Sequence, residues 1–307
     1  MTNEKNRPIV GYASLPWEVG KHGQEQLDAM VQGFRDIKDA GYDAVETLAF
    51  TTYNDDFARR VLEFEEWRPG VHVASDMDFM TRFATILRTC RELDLKLTNI
   101  FIESEFINPH TAQGEFDQVV TISHLLKAAG ANHILVDGGP RRVGEKHRRD
   151  LLALANVMND LGRATADIGI ELCFHSHVDT CVETPEDIEI FFNETNSQYV
   201  KVALDTAHVV AGGGDPVALI NSDPSRVRYV HLKDIADPAE FGEDFQGPAR
   251  YEAFRNLGEG TIDFAKVWNA LEKSGYDQPI IIELDGTPDP AASARISREY
   301  LRNTIGL

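Results

Sequence analysis

Four short apolar runs in the second half of the sequence finish in side chains able to bind a metal ion or move a proton. They are Glu171-Leu-Cys-Phe-His175-Ser-His177, Ala-Leu-Asp205-Thr-Ala-His208, Tyr-Val-His231-Leu-Lys233-Asp234 and Ile-Ile-Ile-Glu283-Leu-Asp285. One carboxylate or imidazole at the end of such a run is common, whereas four consecutive runs carrying them form a constellation. Mixed oxygen and nitrogen donors of this kind suit Mn²⁺, Co²⁺, Zn²⁺ or Fe²⁺ better than Ca²⁺ or Mg²⁺. Taken singly, each residue has a plainer role. Asp205 would cap a following helix, His231 would pair with Asp234, and Cys173 would be a small core hydrophobe.

The elements that must position these groups alternate along the whole chain. Strand-like runs occur at Ile9 to Ala13, Ala44 to Leu48, Leu97 to Ile102 and His133 to Val136. Four more lie at Ile168 to Phe174, Val200 to Leu204, Val227 to Leu232 and Ile280 to Leu284. Between them come amphipathic stretches. In the clearest, Leu27, Met30, Val31, Phe34 and Ile37 recur at helical spacing until Gly41. Others are expected at Phe79 to Leu93, Phe116 to Ala129, Lys146 to Ala166, Pro185 to Asn193, Pro216 to Ile220, Phe264 to Ser274 and Ala291 to Thr304. Eight strands alternating with helices predict parallel pairing through crossover helices. Eight units fit a closed (β/α)₈ TIM barrel, in which catalytic groups sit where strands end at the C-terminal face. With no Pro/Gly/Ser-rich linker inside it, residues 1–307 read as one domain. The two long irregular connections are Asn54 to Val71 and Ile235 to Gly260, lengths that go with lids or partner-binding surfaces.

Bulk composition excludes several function classes. Fifty Asp and Glu against 30 Lys and Arg give a formal net charge of −20, unsuited to nucleic acid or an anionic membrane. Met1 to Pro8 is polar, and no stretch approaches the roughly 18 apolar residues of a membrane span, so a cytoplasmic protein is expected. Cys90, Cys173 and Cys181 show no metal-binding spacing. Neither a Walker loop nor a Gly-x-Gly-x-x-Gly following a strand is present. Arg141, Arg142, Lys146, His147, Arg148 and Arg149 form the one basic cluster, read as a solvated helix start. Gly212 to Gly214 before Asp215-Pro216 reads as a tight turn and helix cap, with anion binding as the alternative.

Ala-Leu-Asp205-Thr-Ala-His208, Gly212-Gly-Gly-Asp-Pro216, Val230-His231-Leu-Lys-Asp234, Leu257-Gly-Glu-Gly260 and Glu283 together resemble the xylose isomerase-like TIM barrel family. That family includes sugar isomerases and epimerases, inosose dehydratases and endonuclease IV. The resemblance implies a divalent metal, Mn²⁺ first and Co²⁺, Zn²⁺, Fe²⁺ or Mg²⁺ after it, on Asp205, His231 and Glu283, with His208 near the substrate. Epimerases of the family place a Glu near the end of strand five, close to Cys173 here. Cys173-Phe-His175-Ser-His177-Val-Asp-Thr180 is more similar to the inosose dehydratase branch. Strand alternation sets Glu171, Cys173, His175 and His177 on one side, so the fourth ligand stays open. His175 is favoured, Glu171 is held in reserve, and His177 becomes a substrate contact or proton carrier.

A metal at such a rim can bind a carbonyl and a neighbouring hydroxyl and favour removal of the proton between them. Epimerases return that proton to the other face; dehydratases expel a β-substituent with help from a general acid. The histidines on strand five favour elimination, since an imidazole poised near neutral pH can act as base and then acid. The reading is therefore a metal-dependent lyase or isomerase acting on a keto-sugar or keto-cyclitol. His175, His177 and Lys233 are candidate catalytic groups; His208, Glu103 and Asp137 are candidate substrate contacts, although a turn-stabilising role also suits Asp137. An inosose is one substrate. A 3-keto C-glycoside is the other, by resemblance to the larger subunit of C-glycoside deglycosidases, which would add a small β-sandwich partner subunit. An oligomer is expected from the family. A simple epimerase, a non-catalytic sugar-binding barrel and a DNA-cleaving zinc enzyme are the alternatives, the last opposed by the net charge.

Overall fold

Strands that are apolar on both faces belong between a barrel interior and a coat of helices. The computed structural model describes residues 7–21, 23–48, 76–242 and 245–307. In chain order its strands are β1 (Val10–Ala13), β2 (Ala44–Leu48), β3 (Lys96–Phe101), β4 (His133–Val136) and β5 (Glu171–His175). They continue with β6 (Val200–Asp205), β7 (Val227–Leu232), the two-residue strands β8 (Asp234–Ile235) and β9 (Phe254–Arg255), and β10 (Ile280–Ile282). Eight of them form one parallel sheet in the order β3-β2-β1-β10-β7-β6-β5-β4. A parallel bridge between Ile102 and Val136 joins the two edges. There Ile102 N–H donates to Leu135 O at 3.0 Å and Asp137 N–H to Ile102 O at 3.4 Å. The ring is the (β/α)₈ barrel expected from the alternation.

The helices are α1 (Leu15–Glu18), α2 (Gly23–Ala40), α3 (Asp76–Leu93), α4 (Ala112–Ala129), α5 (Gly144–Ile168) and α6 (Pro185–Glu194). After them come α7 (Thr206–Ala211), α8 (Pro216–Ser222), α9 (Pro248–Glu252), α10 (Phe264–Ser274) and α11 (Pro290–Thr304). On α2 the predicted stripe of Leu27, Met30, Phe34 and Ile37 is buried, packed with Val10, Tyr12 and Val45 of the strands. Full burial of such a side chain contributes roughly 1.5–3 kcal/mol, so the coat of helices is held mainly by these stripes. The inner faces carry a second apolar cluster, with Ala13, Phe101, Leu135, Cys173, Ala203, Tyr229 and Ile281 filling the barrel interior. No helix among the described residues is long and apolar enough to cross a membrane.

Three expectations need correction. Ile168 belongs to the end of α5, not to strand five, because Gly169 takes a left-handed conformation (φ 80°) and caps the helix. Ile235 to Gly260 is not irregular throughout: β8 and β9 pair antiparallel, and a 3₁₀ turn (Pro238–Glu240) and α9 lie between them. The short helices α1 and α7 escaped the periodicity reading, since four and six residues are too few to show a stripe. Asn54 to Val71 lies outside the described residues.

Candidate metal centre

The strands β5, β6, β7 and β10 are neighbours, and their C-terminal ends converge. In the register Asp205 faces His231, and His175 faces Ala203 two residues below Asp205. Ligand atoms of His175, Asp205, His231 and Glu283 all lie within 4.8 Å of one another, and all four residues are buried. His175 Nε2 is 3.7 Å and His231 Nδ1 3.9 Å from Asp205 Oδ2, and His231 Nδ1 is 2.5 Å from Glu283 Oε2. Both ring nitrogens of His175 and Asp205 Oδ2 have no hydrogen-bond partner among the described residues, whereas His231 Nδ1 is paired with Glu283. Each buried polar atom left unpaired costs about 1–3 kcal/mol. One cation would satisfy the atoms on His175 and Asp205, and with His231 and Glu283 the N₂O₂ donor set suits a first-row divalent metal.

Asp205 takes the helix-capping role read from the sequence with one oxygen only. Oδ1 accepts His208 N–H at 2.8 Å and caps α7, which leaves Oδ2 directed at the cluster. The cap also restrains the carboxylate, so the free oxygen is aimed rather than loose. Glu283 is held well below the usual carboxylate range: burial opposes this, but Lys233 and His231 outweigh it. For His231 burial works downward, while Glu46 and Glu283 push the imidazole well above its ordinary value. The plainer pairing of His231 with Asp234 does not form. Asp234 accepts four backbone N–H groups instead, from Ile235, Gly258, Gly260 and Ile262. A Cβ on Gly260 would fall 2.3 Å from Asp234 Oδ1, which accounts for the glycine of Leu257-Gly-Glu-Gly260.

His177 stands beside the cluster, its ring centroid 5.6 Å from that of His175. Nδ1 lies 2.7 Å from Val178 O, an acceptor only, so Nδ1 carries the proton and Nε2 the lone pair. Burial first, then His175 and Lys233, lowers its pKa to about 3. The expectation of an imidazole poised near neutrality is therefore corrected: His177 is a neutral acceptor. His208 stacks on it at 3.7 Å and is likewise kept neutral by burial and by His177. Lys233 is fully buried and donates to Glu283 Oε1 at 3.1 Å, Asp285 Oδ1 at 2.5 Å and His208 Nε2 at 3.1 Å. Burial disfavours its charge, but Asp285, Glu283 and Asp205 overcome this and raise its pKa. Lys233 is an ammonium with three acceptors, not a free base. His208, Glu283 and Asp285 also come within 4.8 Å of each other, yet Lys233 already supplies the cation there.

The other candidates divide. Glu171 is corrected as reserve ligand: it sits at the start of β5, about 13 Å along the strand from His175, bonded to Arg228 at 2.8 Å. Asp137 accepts Ser104 N–H at 3.3 Å, tying the segment after β3 to the end of β4. Burial and then Glu103 raise its pKa well above the ordinary value. Glu103 and Asp137 thus share a rim position outside the four-residue cluster. The basic cluster is more than solvated surface. Arg141 and His147 bind Asp187, and Arg142 binds Glu105 at 2.6 Å; Lys146, Arg148 and Arg149 are exposed. Asp215 caps α8 through Val217 N–H at 2.8 Å, the turn reading of the Gly212 to Gly214 segment.

Two contributors were underrated in the sequence. Glu46 lies 3.1 Å from His231 Nε2, and its signal was a carboxylate at an inward position of the otherwise uncharged strand β2. Arg250, on α9, reaches Asp179 at 3.1 Å and Glu183 at 2.8 Å and pins the long loop to the turn after β5. Nothing local distinguishes it from a surface arginine.

Residues 34–304 match the family described as Xylose isomerase-like TIM barrel. Inosose dehydratase of Geobacillus thermodenitrificans is 32% identical over 162 residues, 50% of this chain and 54% of that enzyme. The chain thus spans about half the length of the curated relatives it matches. Among solved structures, a D-allulose 3-epimerase from Methylomonas sp. superposes with a TM-score of 0.69 at 16% identity, covering 97% of this chain and 98% of that one. A structure of IolI protein with a bound zinc atom gives a TM-score of 0.69 at 15% identity over 97% and 98%. At these identities the two structures show likeness of fold.

Proposed function

The chain belongs to the xylose isomerase-like TIM barrel family, and on that premise we propose that it is a metal-dependent lyase acting on a keto-cyclitol or keto-sugar. The carrying observation is the convergence of buried atoms of His175 and Asp205, unpaired among the described residues, with His231 and Glu283. These four residues would hold a divalent cation, Mn²⁺ by first choice, and residues 1–307 would act as one unit. Bound there, the cation would act as a Lewis acid that polarises a substrate carbonyl. The remaining steps belong to the chain. His177, with its Nδ1 proton held by Val178 O, accepts the proton alpha to the carbonyl and returns it to a hydroxyl leaving from the β-carbon. The balance is loss of one water. Lys233 keeps Glu283 and Asp285 ionised and fixed, His208 supports the His177 ring, and Glu103 and Asp137 meet substrate hydroxyls. Similarity to inosose dehydratases favours an inosose as substrate. The fold likeness to a D-allulose 3-epimerase keeps a second reading, in which the same proton is returned to carbon.

Metal analysis followed by incubation of the loaded protein with an inosose in D₂O tests the proposal. A stoichiometric divalent metal and release of a dehydrated, ultraviolet-absorbing product are expected. Exchange of the alpha hydrogen without water loss would replace elimination by epimerisation. A protein that takes up no divalent metal would end the metal-dependent reading altogether.

A further inference from the structure

The two ring nitrogens of His231 face different partners. Nδ1 is turned toward Asp205 Oδ2 and Glu283 Oε2, at 3.9 and 2.5 Å. Nε2 lies 3.1 and 3.2 Å from the two carboxylate oxygens of Glu46. Glu46 Oε2 accepts in turn from Asn99 Nδ2 at 3.1 Å, and Asn99 Oδ1 accepts Leu135 N–H at 3.0 Å. This chain of contacts passes through β7, β2, β3 and β4. Glu46 is 3% exposed and Asn99 fully buried.

We infer that Glu46 is a positioning residue that fixes the tautomer and ring orientation of His231 so that Nδ1 is presented to a divalent cation. The inference rests on the metal-site reading given above. An imidazole can ligate through one nitrogen only if the proton stays on the other, and an unanchored ring is free to present either. A carboxylate on Nε2–H removes that freedom and makes the ring a stronger electron donor. Glu46 is not itself a fifth ligand. The imidazole nitrogens diverge, so an ion on Nδ1 lies on the far side of the ring from Glu46, and Glu46 is not among the four residues whose ligand atoms converge. The orientation of Glu46 is set by a backbone group at one remove. With its Oδ1 taken by Leu135 N–H, Asn99 must turn Nδ2 toward the carboxylate. The sequence Ala44-Val-Glu46-Thr-Leu48 thus places a carboxyl group inside the barrel against Nε2 of His231.

Glu46→Gln keeps the shape and removes the charge; Glu46→Asp keeps the charge and withdraws it by one methylene. Metal-stripped wild type and both variants are titrated with Co²⁺ alone, with affinity read by chelator competition and ligand field by the visible spectrum. Far-UV circular dichroism checks that the variants are folded. The expected result is Co²⁺ binding weakened by about 10–100-fold in each variant, with a shifted spectrum. Wild-type affinity and spectrum in both folded variants would overturn the role of Glu46 while leaving the metal site intact. Failure of wild type to bind Co²⁺ would instead overturn the metal-site reading and this inference with it.

Discussion

At the N-terminal end of the barrel interior, Glu171 faces Arg228 at 2.8 Å and His133 at 3.5 Å. Four residues further along the same strand, His175 faces Asp205 at 3.7 Å, with neither of its ring nitrogens hydrogen-bonded. Both ends assemble histidine and carboxylate from adjacent strands, but only the lower one includes a guanidinium of its own. There burial pushes the Glu171 carboxyl up, yet the bonds from His133 and Arg228 prevail and bring it to about 2. At the upper end Lys233 is committed to Glu283 and Asp285, and Asp205 Oδ2 is left with histidines for neighbours. Residue type alone therefore does not mark a site. What sets the upper end apart is a set of buried atoms, on His175 and Asp205, that find no hydrogen-bond partner among the described residues.

The contrast can be broken most sharply at Asp205. Asp205→Asn retains an oxygen to cap α7 and removes the anionic Oδ2, so the purified protein should lose its metal while its thermal midpoint stays close to that of metal-stripped wild type. Stoichiometric metal in this variant would erase the distinction between the two ends. A smaller effect is expected at His177→Ala, with metal retained and turnover reduced by about 10²–10⁴-fold. Undiminished turnover would reduce that imidazole to packing. The smallest effect belongs to the lower end. Glu171→Gln should leave metal content and turnover unchanged and cost roughly 1 kcal/mol of stability at neutral pH, discounted because the carboxylate is partly exposed. The Glu171 carboxyl is lowered from 4.5 to about 2 on folding. Its contribution is therefore complete above pH 4.5 and lost as pH falls through about 2, where denaturation curves of variant and wild type should converge. A difference that persists unchanged at pH 2 would rule out the ion pair as its source.

The barrel was legible because its signal is repeated: eight apolar runs, each followed by a helical stripe such as Leu27, Met30, Phe34 and Ile37. The converging residues were legible because each ends a strand. Direction along a strand was harder. Period two places Glu171 and His175 on one face, about 13 Å apart, without saying which of them meets the other strands' ligands, and only the register against β6 and β7 does so. The neutrality of His177 was out of reach, since it comes from burial and from residues on other strands. Glu46 was visible as an inward charge, but its partner lies 185 positions away in sequence.

Asp234 gathers the backbone of Ile235, Gly258, Gly260 and Ile262 around one carboxylate, and β8 and β9 pair just inside that knot. The excursion between them is thereby fastened at its two feet, independently of what lies at its crown. Substitutions at Asp237, Ala239 and Glu240, exposed on that excursion, can accumulate without disturbing the strand that carries His231 or the one that carries Glu283. The surface of this excursion is thus free to diverge among descendants of this chain while the floor formed by His175, Asp205, His231 and Glu283 is inherited unchanged.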